Sequence, residues 1–326
     1  MTTEIDVVAE RSALGGLEQW IFDPSINEIL VNGDGAVWIE RAGRLTLVAA
    51  LSEQARLSAI EHMLAPLGRR IDRSSPTVDA RLPDGSRLCA AISPVSVDGP
   101  ALCVRRFATA TIPVQSFAPA PVCELLQAIV RRHCNVLLTG ATSSGKTTLL
   151  NTLVGLSSIG ERIVTMEDIA ELRIAHPHVQ RLECRPASAD GVGEVTLAHL
   201  LRTALRMRPD RLVVGEIRGH EVLPLMQALN TGHRGSFATL HANSASDALA
   251  RVASLVVQEA PGWPMAAVHD AIRRAVDIVV HLERGPAGHR SVASIDEVLP
   301  SGDQLALQRL ADCDSVLRRI TRGSAG

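Results

Sequence analysis

The 326-residue sequence predicts an α/β protein: a domain with a mostly parallel sheet covered by helices on both faces, preceded by a smaller α+β domain. Three observations predict it. From about residue 122 onward, short apolar runs alternate with segments of helical spacing, which is the pattern of strand–helix crossover units. Before that, apolar alternation is punctuated by Asn-Gly and Pro-Asp-Gly turns, as in hairpins. Between the two lies Ala108 to Pro121 (ATATIPVQSFAPAP), rich in Ala and Pro and without periodicity. The expected organisation is an N-terminal domain over 1–107, a linker over 108–121 and a second domain over 122–326.

Taken in order, Glu28 to Val31 and Ala36 to Glu40 read as strands around Asn32-Gly33-Asp34-Gly35. Ser52 is placed to cap a helix running through Leu57, Ile60 and Leu64, with Gly68 past its end. Val78 to Leu82 and Arg87 to Ile92 flank the Pro83-Asp84-Gly85 turn, and Ala101 to Arg106 reads as a further strand. In the second domain a helix spans Val122 to Arg132, followed by the strand Val136 to Thr139 and a helix. Strands then follow over Arg162 to Met166, Arg211 to Gly215 and Ser236 to Leu240. Helices are expected over Thr196 to Met207, His220 to Asn230 and Ala245 to Glu259. Ile278 to Glu283, Ser291 to Val298 and Gln304 to Leu310 read as a closing meander.

Composition narrows the function classes. Hydrophobic content of 46% and charged content of 21% are those of a globular chain. Aromatics make up 2% with no Tyr, so the core is expected to be aliphatic and a base-stacking platform is disfavoured. A net charge of −2 provides no broad basic field for nucleic acid or anionic lipid. No apolar run approaches the ~18 residues of a membrane span, and the acidic start MTTEIDVVAER is unlike a signal peptide. Six cysteines without any C-x-x-C spacing are expected as buried free thiols in a reducing cytoplasm. His176 and His178 flank Pro177 in what reads as a turn, with no ligand-spaced partner.

The stretch VLLTGATSSGKT, Val136 to Thr147, carries the chemistry. An apolar strand enters Gly140, Ala141, Thr142, Ser143, Ser144, Gly145, Lys146 and Thr147, matching G-x-x-x-x-G-K-[ST], and Thr148 continues into TLLNTLVG with helical spacing. Gly140 and Gly145 permit backbone angles and approaches that a Cβ blocks. Successive N–H groups then converge on an anion at a helix N-terminus. Lys146 supplies a point charge for the β- and γ-phosphates, and Thr147 a hydroxyl for Mg²⁺. Lys146 is the only lysine in a chain with 33 basic residues. These residues predict ATP and Mg²⁺ as ligands.

A nucleotide sheet also needs carboxylates at strand ends to manage metal and water. Asp210 to Glu216 (DRLVVGE) is an apolar strand ending in Glu216, and strand C-termini face the ligand crevice in open α/β sheets. Arg162 to Glu171 (RIVTMEDIAE) empties into Glu167 and Asp168. A third strand, SFATL, ends at His241, placed to hydrogen-bond a γ-phosphate.

Four blocks together resemble the secretion ATPase superfamily of type II and type IV secretion, type IV pili and archaeal surface filaments. They are the P-loop, TMEDIAEL, RMRPDRLVVGEIRG and TGHRGSFATLHANS. GRRIDRSSPTVDARLPDGSRL, PALCVRRF and GEVTLAHLLRTALRMRPDR are most similar to the tight-adherence (Flp/Tad) pilus branch, CpaF-type. The resemblance, over about Glu28 to Leu299, implies a RecA-like P-loop NTPase domain. It implies that Glu216 activates or orients water with support from Glu167 and Asp168, and that His241 is the residue of a His box beginning near His233. It further implies that ATP lies between two domains, with Arg81 and Arg87 reaching the triphosphate and Arg105 and Arg106 nearer base and ribose. A tetra-cysteine zinc motif found in many relatives is absent from the sequence. The N-terminal extension common in CpaF-type proteins is short here, and the tail after Pro300 carries no recognisable motif.

The function so implied is an ATP-hydrolysing homo-hexameric motor. It would drive assembly of a tight-adherence pilus by changing its interdomain angle. It would be cytoplasmic, held at the inner face of the cytoplasmic membrane only through inner-membrane platform proteins, and would not act on nucleic acid. The alternative is a type IV secretion or conjugation ATPase. A RecA-like nucleic-acid motor and a nucleotide-gated scaffold without turnover are the remaining readings. Net acidity and scarce aromatics oppose the first, and two acidic strand ends oppose the second.

Overall fold

Apolar residues alternate along Glu28–Val31 (β1) and Ala36–Arg41 (β2), so Ile29, Val31, Val37 and Ile39 are buried on one face. In the computed structural model, which describes residues 14–41, 43–106, 112–187, 192–285, 288–300 and 304–323, these strands join four others. They are Arg44–Ala50 (β3), Thr77–Arg81 (β4), Arg87–Ala91 (β5) and Ala101–Arg105 (β6). The sheet is antiparallel throughout, in the order β3-β2-β1-β6-β5-β4. Its apolar face is covered by Glu53–Leu64 (α2), which presents Ala55, Ala59, Ile60, Met63 and Leu64 to it. Ser52 caps this helix as expected, its Oγ accepting the Ala55 N–H at 3.2 Å. A short helix, Glu18–Ile21 (α1), precedes the sheet. β3 was not expected from the sequence: as an edge strand it is exposed on both faces from Arg44 to Leu47 and shows no alternation.

Contacts divide the chain into Met1–Thr109 and Ala110–Gly326. The expected linker is shorter than its composition suggests. A 3₁₀ turn at Val114–Ser116 buries Val114, and Phe117 joins the core of the second unit. The helix then starts with Ala120–Arg131 (α3) rather than at Val122. Proline at its first positions suits a helix start, where the missing N–H has no intrahelical role. Phe107 and the first linker residues, up to 111, lie outside the described residues, as does MTTEIDVVAER.

The second unit is the α/β domain. After α3 come Val136–Gly140 (β7), Lys146–Gly155 (α4), Ile163–Glu167 (β8), Val179–Glu183 (β9) and Leu197–Ala204 (α5). Arg211–Val214 (β10), Val222–Asn230 (α6), Phe237–Leu240 (β11), Ala245–Glu259 (α7) and Met265–Ala275 (α8) follow. Ile278–Arg284 (β12), Arg290–Val298 (β13) and Leu307–Asp312 (β14) close it. The sheet order is β14-β13-β12-β7-β11-β10-β8-β9. From β12 to β9 every pairing is parallel, and β12-β13-β14 is the antiparallel meander that the sequence predicts. The central strands β7, β8, β10 and β11 are buried along their whole length. α5 to α8 pack on one face and α3 with α4 on the other.

Two elements of this unit went unread in the sequence. β9 is an edge strand, half-exposed at every position, so it carries no apolar run. α8 buries only Val268, Ile272 and Ala275, a spacing of four and three that is readable as a helical stripe. The cysteines form no disulfide, but only Cys123 and Cys134 are buried, and Cys89 and Cys313 are exposed. His176 does shape a turn, its Nε2 lying 3.0 Å from the Ser158 carbonyl and its Nδ1 accepting the His178 N–H.

Candidate nucleotide site

β7 delivers the chain to Gly140, whose φ of +150° only glycine adopts readily, and an added Cβ there would lie 2.6 Å from Ser144 Oγ. Ser143 and Gly145 also take positive φ, and Gly145 is the N-cap of α4. The loop is therefore wound into a concavity opening at a helix N-terminus. Ser144 is buried, and its Oγ has no partner among the described residues. Arg290, from β13, donates through Nε to the Ser143 carbonyl at 3.2 Å, and its side chain and Phe117 pack against Gly145. No local spacing marks Arg290, because its proximity is a product of sheet order alone.

Lys146 is buried and donates through Nζ to the carbonyls of Gly140 (2.9 Å) and Ala141 (2.8 Å). Burial lowers its pKa, and the Glu216 carboxylate partly offsets that. β11 lies between the P-loop strand and β10, so the residue following β11 stands between the ends of its neighbours. That residue is His241. Its Nδ1 is 3.3 Å from Lys146 Nζ and its Nε2 is 3.0 Å from Glu216 Oε1. Burial and the Lys146 charge both lower its pKa against the pull of Glu216. The neutral imidazole then accepts from the ammonium at Nδ1 and donates to the carboxylate at Nε2, a tautomer assigned by its partners.

The other Glu216 oxygen, Oε2, accepts from Arg218 at 2.6 Å, and Arg218 reaches Asp168 Oδ2 at 3.7 Å. A continuous polar row, Lys146–His241–Glu216–Arg218–Asp168, therefore runs across the C-terminal ends of β7, β11, β10 and β8. Sequence reasoning missed Arg218, although it lies only two residues beyond Glu216 within a block already singled out.

Glu167 is set differently from the expected supporting role. It is buried, its Oε1 accepts the N–H groups of Glu171 and Leu172 at 2.9 Å each, and Oε2 has no partner among the described residues. Burial pushes its pKa up to about 7, against the lowering effect of those two N–H groups. It braces the TMEDIAEL loop and packs over Gly215, where a Cβ would stand 2.8 Å from its Cγ. Only Asp168 joins the polar row. His233 precedes β11, at the opposite end of that strand from His241, and its Nδ1 faces the Ala228 carbonyl at 3.2 Å.

In the N-terminal unit, cross-strand register aligns Arg81 with Arg87 and Arg87 with Arg105. Arg87 pairs with Asp79 at 3.0 Å and Arg105 with Glu28 at 3.3 Å. Arg106 stands apart from this row: its guanidinium donates to the carbonyls of Asp23 and Ile21, tying β6 to α1.

These features fit a nucleoside triphosphate with a hard cation. The glycine-lined cradle, the orphaned Ser144 hydroxyl and the Lys146 ammonium suit phosphate oxygens. The hydroxyl of Thr147, in the first turn of α4, and the carboxylates of Glu216 and Asp168 are the oxygen donors that Mg²⁺ prefers.

The chain is similar to known proteins over most of its length. A putative conjugal transfer protein of Mycobacterium tuberculosis is 37% identical over 299 residues, spanning 88% of this chain and 84% of that protein. The type IV secretion system protein PtlH of Bordetella pertussis is 32% identical over 336 residues, spanning 89% and 97%. The crystal structure of the pilus retraction motor PilT with bound ADP superposes with a TM-score of 0.65 over 90% of this chain and 84% of that one. Its identity is 19%, so it establishes the shared fold. The two sequence relatives bear conjugation and type IV secretion names, not the tight-adherence name that the sequence blocks resemble most. The profile described as Type II/IV secretion system protein matches residues 10–322, and the chain belongs to that family.

Proposed function

We propose that the protein is an ATP-hydrolysing motor of a type IV secretion or conjugation apparatus. The observation that carries the reading is His241 bridging Lys146 and Glu216, which links the phosphate cradle to the water-handling carboxylate in one hydrogen-bonded row. The P-loop N–H groups and Lys146 bind and orient the triphosphate. Glu216, held at Oε2 by Arg218 and at Oε1 by His241, orients the attacking water and takes up its proton. His241, neutral at physiological pH, donates at Nε2 and reports the terminal phosphoryl to Glu216. Thr147 would hold Mg²⁺, which when bound neutralises charge developing on the phosphate oxygens. Arg81, Arg87 and Arg105 are proposed as further cations for the triphosphate.

Names of the relatives support the pathway, and the ring-motor reading extends it. The proposed working form is a homo-hexamer closed by a heterologous interface, cytoplasmic and held at the inner membrane by platform proteins. Among the described residues no helix is long and apolar enough to cross a membrane. A second reading, the tight-adherence pilus, is favoured by GRRIDRSSPTVDARLPDGSRL and PALCVRRF. Platform and prepilin genes beside this one would select it, and conjugation genes would select the first.

Phosphate release from ATP by the purified protein tests the activity. Lys146→Ala is expected to abolish turnover, and full turnover in that variant would remove the site assignment.

A further inference from the structure

Between the tip of the P-loop and the outer face of α7 lies a cleft of about 610 Å³, lined among others by Thr142, His241, Asn243, Asp247, Arg251 and Ser254. Ala141, Thr142 and His241 in its lining put it beside the P-loop, where a terminal phosphoryl would rest, and it opens to solvent. Arg251 lies on the second turn of α7. Its natural partner would be Asp247, four residues earlier on the same helix. That carboxylate is committed elsewhere: it accepts the Asn243 N–H at 3.2 Å, while the Asp247 N–H bonds Ser244 Oγ at 3.1 Å, closing the helix start. Among the described residues the Arg251 guanidinium makes no hydrogen bond or ion pair. Its charge is nonetheless felt at His241, where it helps to depress protonation. A forked, permanently charged donor group left unpaired in a polar cleft at a P-loop is suited to a phosphoryl dianion.

We propose that this cleft is a phosphate subsite, with Arg251 as its cation, that receives the phosphoryl product as it leaves the P-loop. The inference rests on the ATPase reading for its place in the reaction, but not for the binding it asserts. The polar groups of Thr142, Asn243 and Ser254 line the route outward, and among the described lining residues Asp247 is the one acid. In this arrangement Lys146 holds the nucleotide while Arg251 competes for the freed phosphate, so the two cations act in sequence.

The test is equilibrium dialysis of labelled inorganic phosphate on the full chain. Lys146→Ala removes the cation of the P-loop and keeps every polar side chain that lines the cleft. That variant is expected to retain phosphate binding, and Lys146→Ala/Arg251→Ala to lose it by roughly tenfold or more, the scale of one charge-assisted contact. Lys146→Ala/Arg251→Lys should fall between, since an ammonium keeps the charge and loses the fork. In the hydrolysing protein, Arg251→Ala should raise the inhibition constant for phosphate without weakening ADP binding. Equal phosphate affinity in the single and double variants would overturn the proposal. So would a loss of self-association in Arg251→Ala with phosphate binding intact, which would assign the arginine to contact between copies. If the wild-type chain fails to turn over ATP, the motor reading falls, and the dialysis still decides this one.

Discussion

Replacing Arg322 by alanine should destabilise the second unit well beyond what an ordinary surface arginine would. The residue lies in a tail that carries no motif, yet it is the keystone of a buried polar cluster beneath the sheet. Its Nε donates to Asp277 Oδ1 at 2.6 Å, with side-chain exposures of 13% for Arg322 and 2% for Asp277. A second guanidinium nitrogen donates to the Arg273 carbonyl at 2.6 Å, and its backbone N–H to Glu297 at 2.7 Å. Removing one partner of a buried pair costs about 3–5 kcal/mol, because the remaining charge stays desolvated. Asp277 would keep the Asn135 N–H at 2.9 Å and Arg234 at 3.7 Å, which puts the expected loss near the low end, about 3 kcal/mol. In a unit of roughly 220 residues this lowers Tm by about 6–12 °C. Thermal unfolding followed by circular dichroism reads the shift. Asp277→Asn combined with Arg322→Ala should recover part of the loss, since the amide carries no charge to strand. A Tm within 1 °C of wild type, or a double variant as unstable as the single, would refute this account of the tail.

Other outcomes follow from the polar row. Glu216→Gln should bind ATP normally and turn it over about 10²–10⁴ times more slowly, and weak binding with normal turnover would remove Glu216 from its role. Arg218→Ala should lower kcat about 10²-fold with little change in the KM for ATP, because a misaimed carboxylate costs orientation rather than binding; a pure KM effect would place Arg218 on the nucleotide instead. Glu167→Gln probes the raised pKa. The folded carboxyl, at about 7, binds its proton more tightly than the ordinary 4.5, so its contribution to stability is complete below pH 4.5 and is lost as pH rises through 7. The amide lacks that loss. Glu167→Gln should therefore be more stable than wild type by up to about 3 kcal/mol at pH 8 and equal to it near pH 4. Urea unfolding at several pH values measures this, and a pH-independent difference would contradict it.

Much of the site was legible because its parts are local. The cradle is eight consecutive residues whose glycine positions and helix start are written in order along the chain, so the strand–loop–helix context could be read directly. Glu216 and His241 were legible for a related reason: each follows a short apolar run, and strand ends in parallel sheets share one edge. Glu167 and Asp168 were read alike because two acids in succession at a strand exit look alike in sequence. Burial separates them, turning Glu167 inward over Gly215 and leaving Asp168 about half-exposed beside Arg218. The edge strands β3 and β9 escaped notice because a strand with no fully buried face shows no period. The linker was overextended because Ala and Pro look structureless until Val114 and Phe117 are seen in the core.

By itself, then, the sequence determined where the glycine-rich strand–loop–helix turn lies and that acidic and imidazole groups lie at strand ends. Those are properties of backbone angles and of alternation along contiguous residues. Only the tertiary structure decided that β11 lies between β7 and β10. That order sets His241 between Lys146 and Glu216, while β12 and β13, on the other side of β7, bring Arg290 over the P-loop, and the returning tail anchors Arg322 on Asp277 beside the start of β12. Strand order depends on how crossover helices pack across both faces of the sheet, through contacts between residues distant in the chain, and no local spacing encodes it.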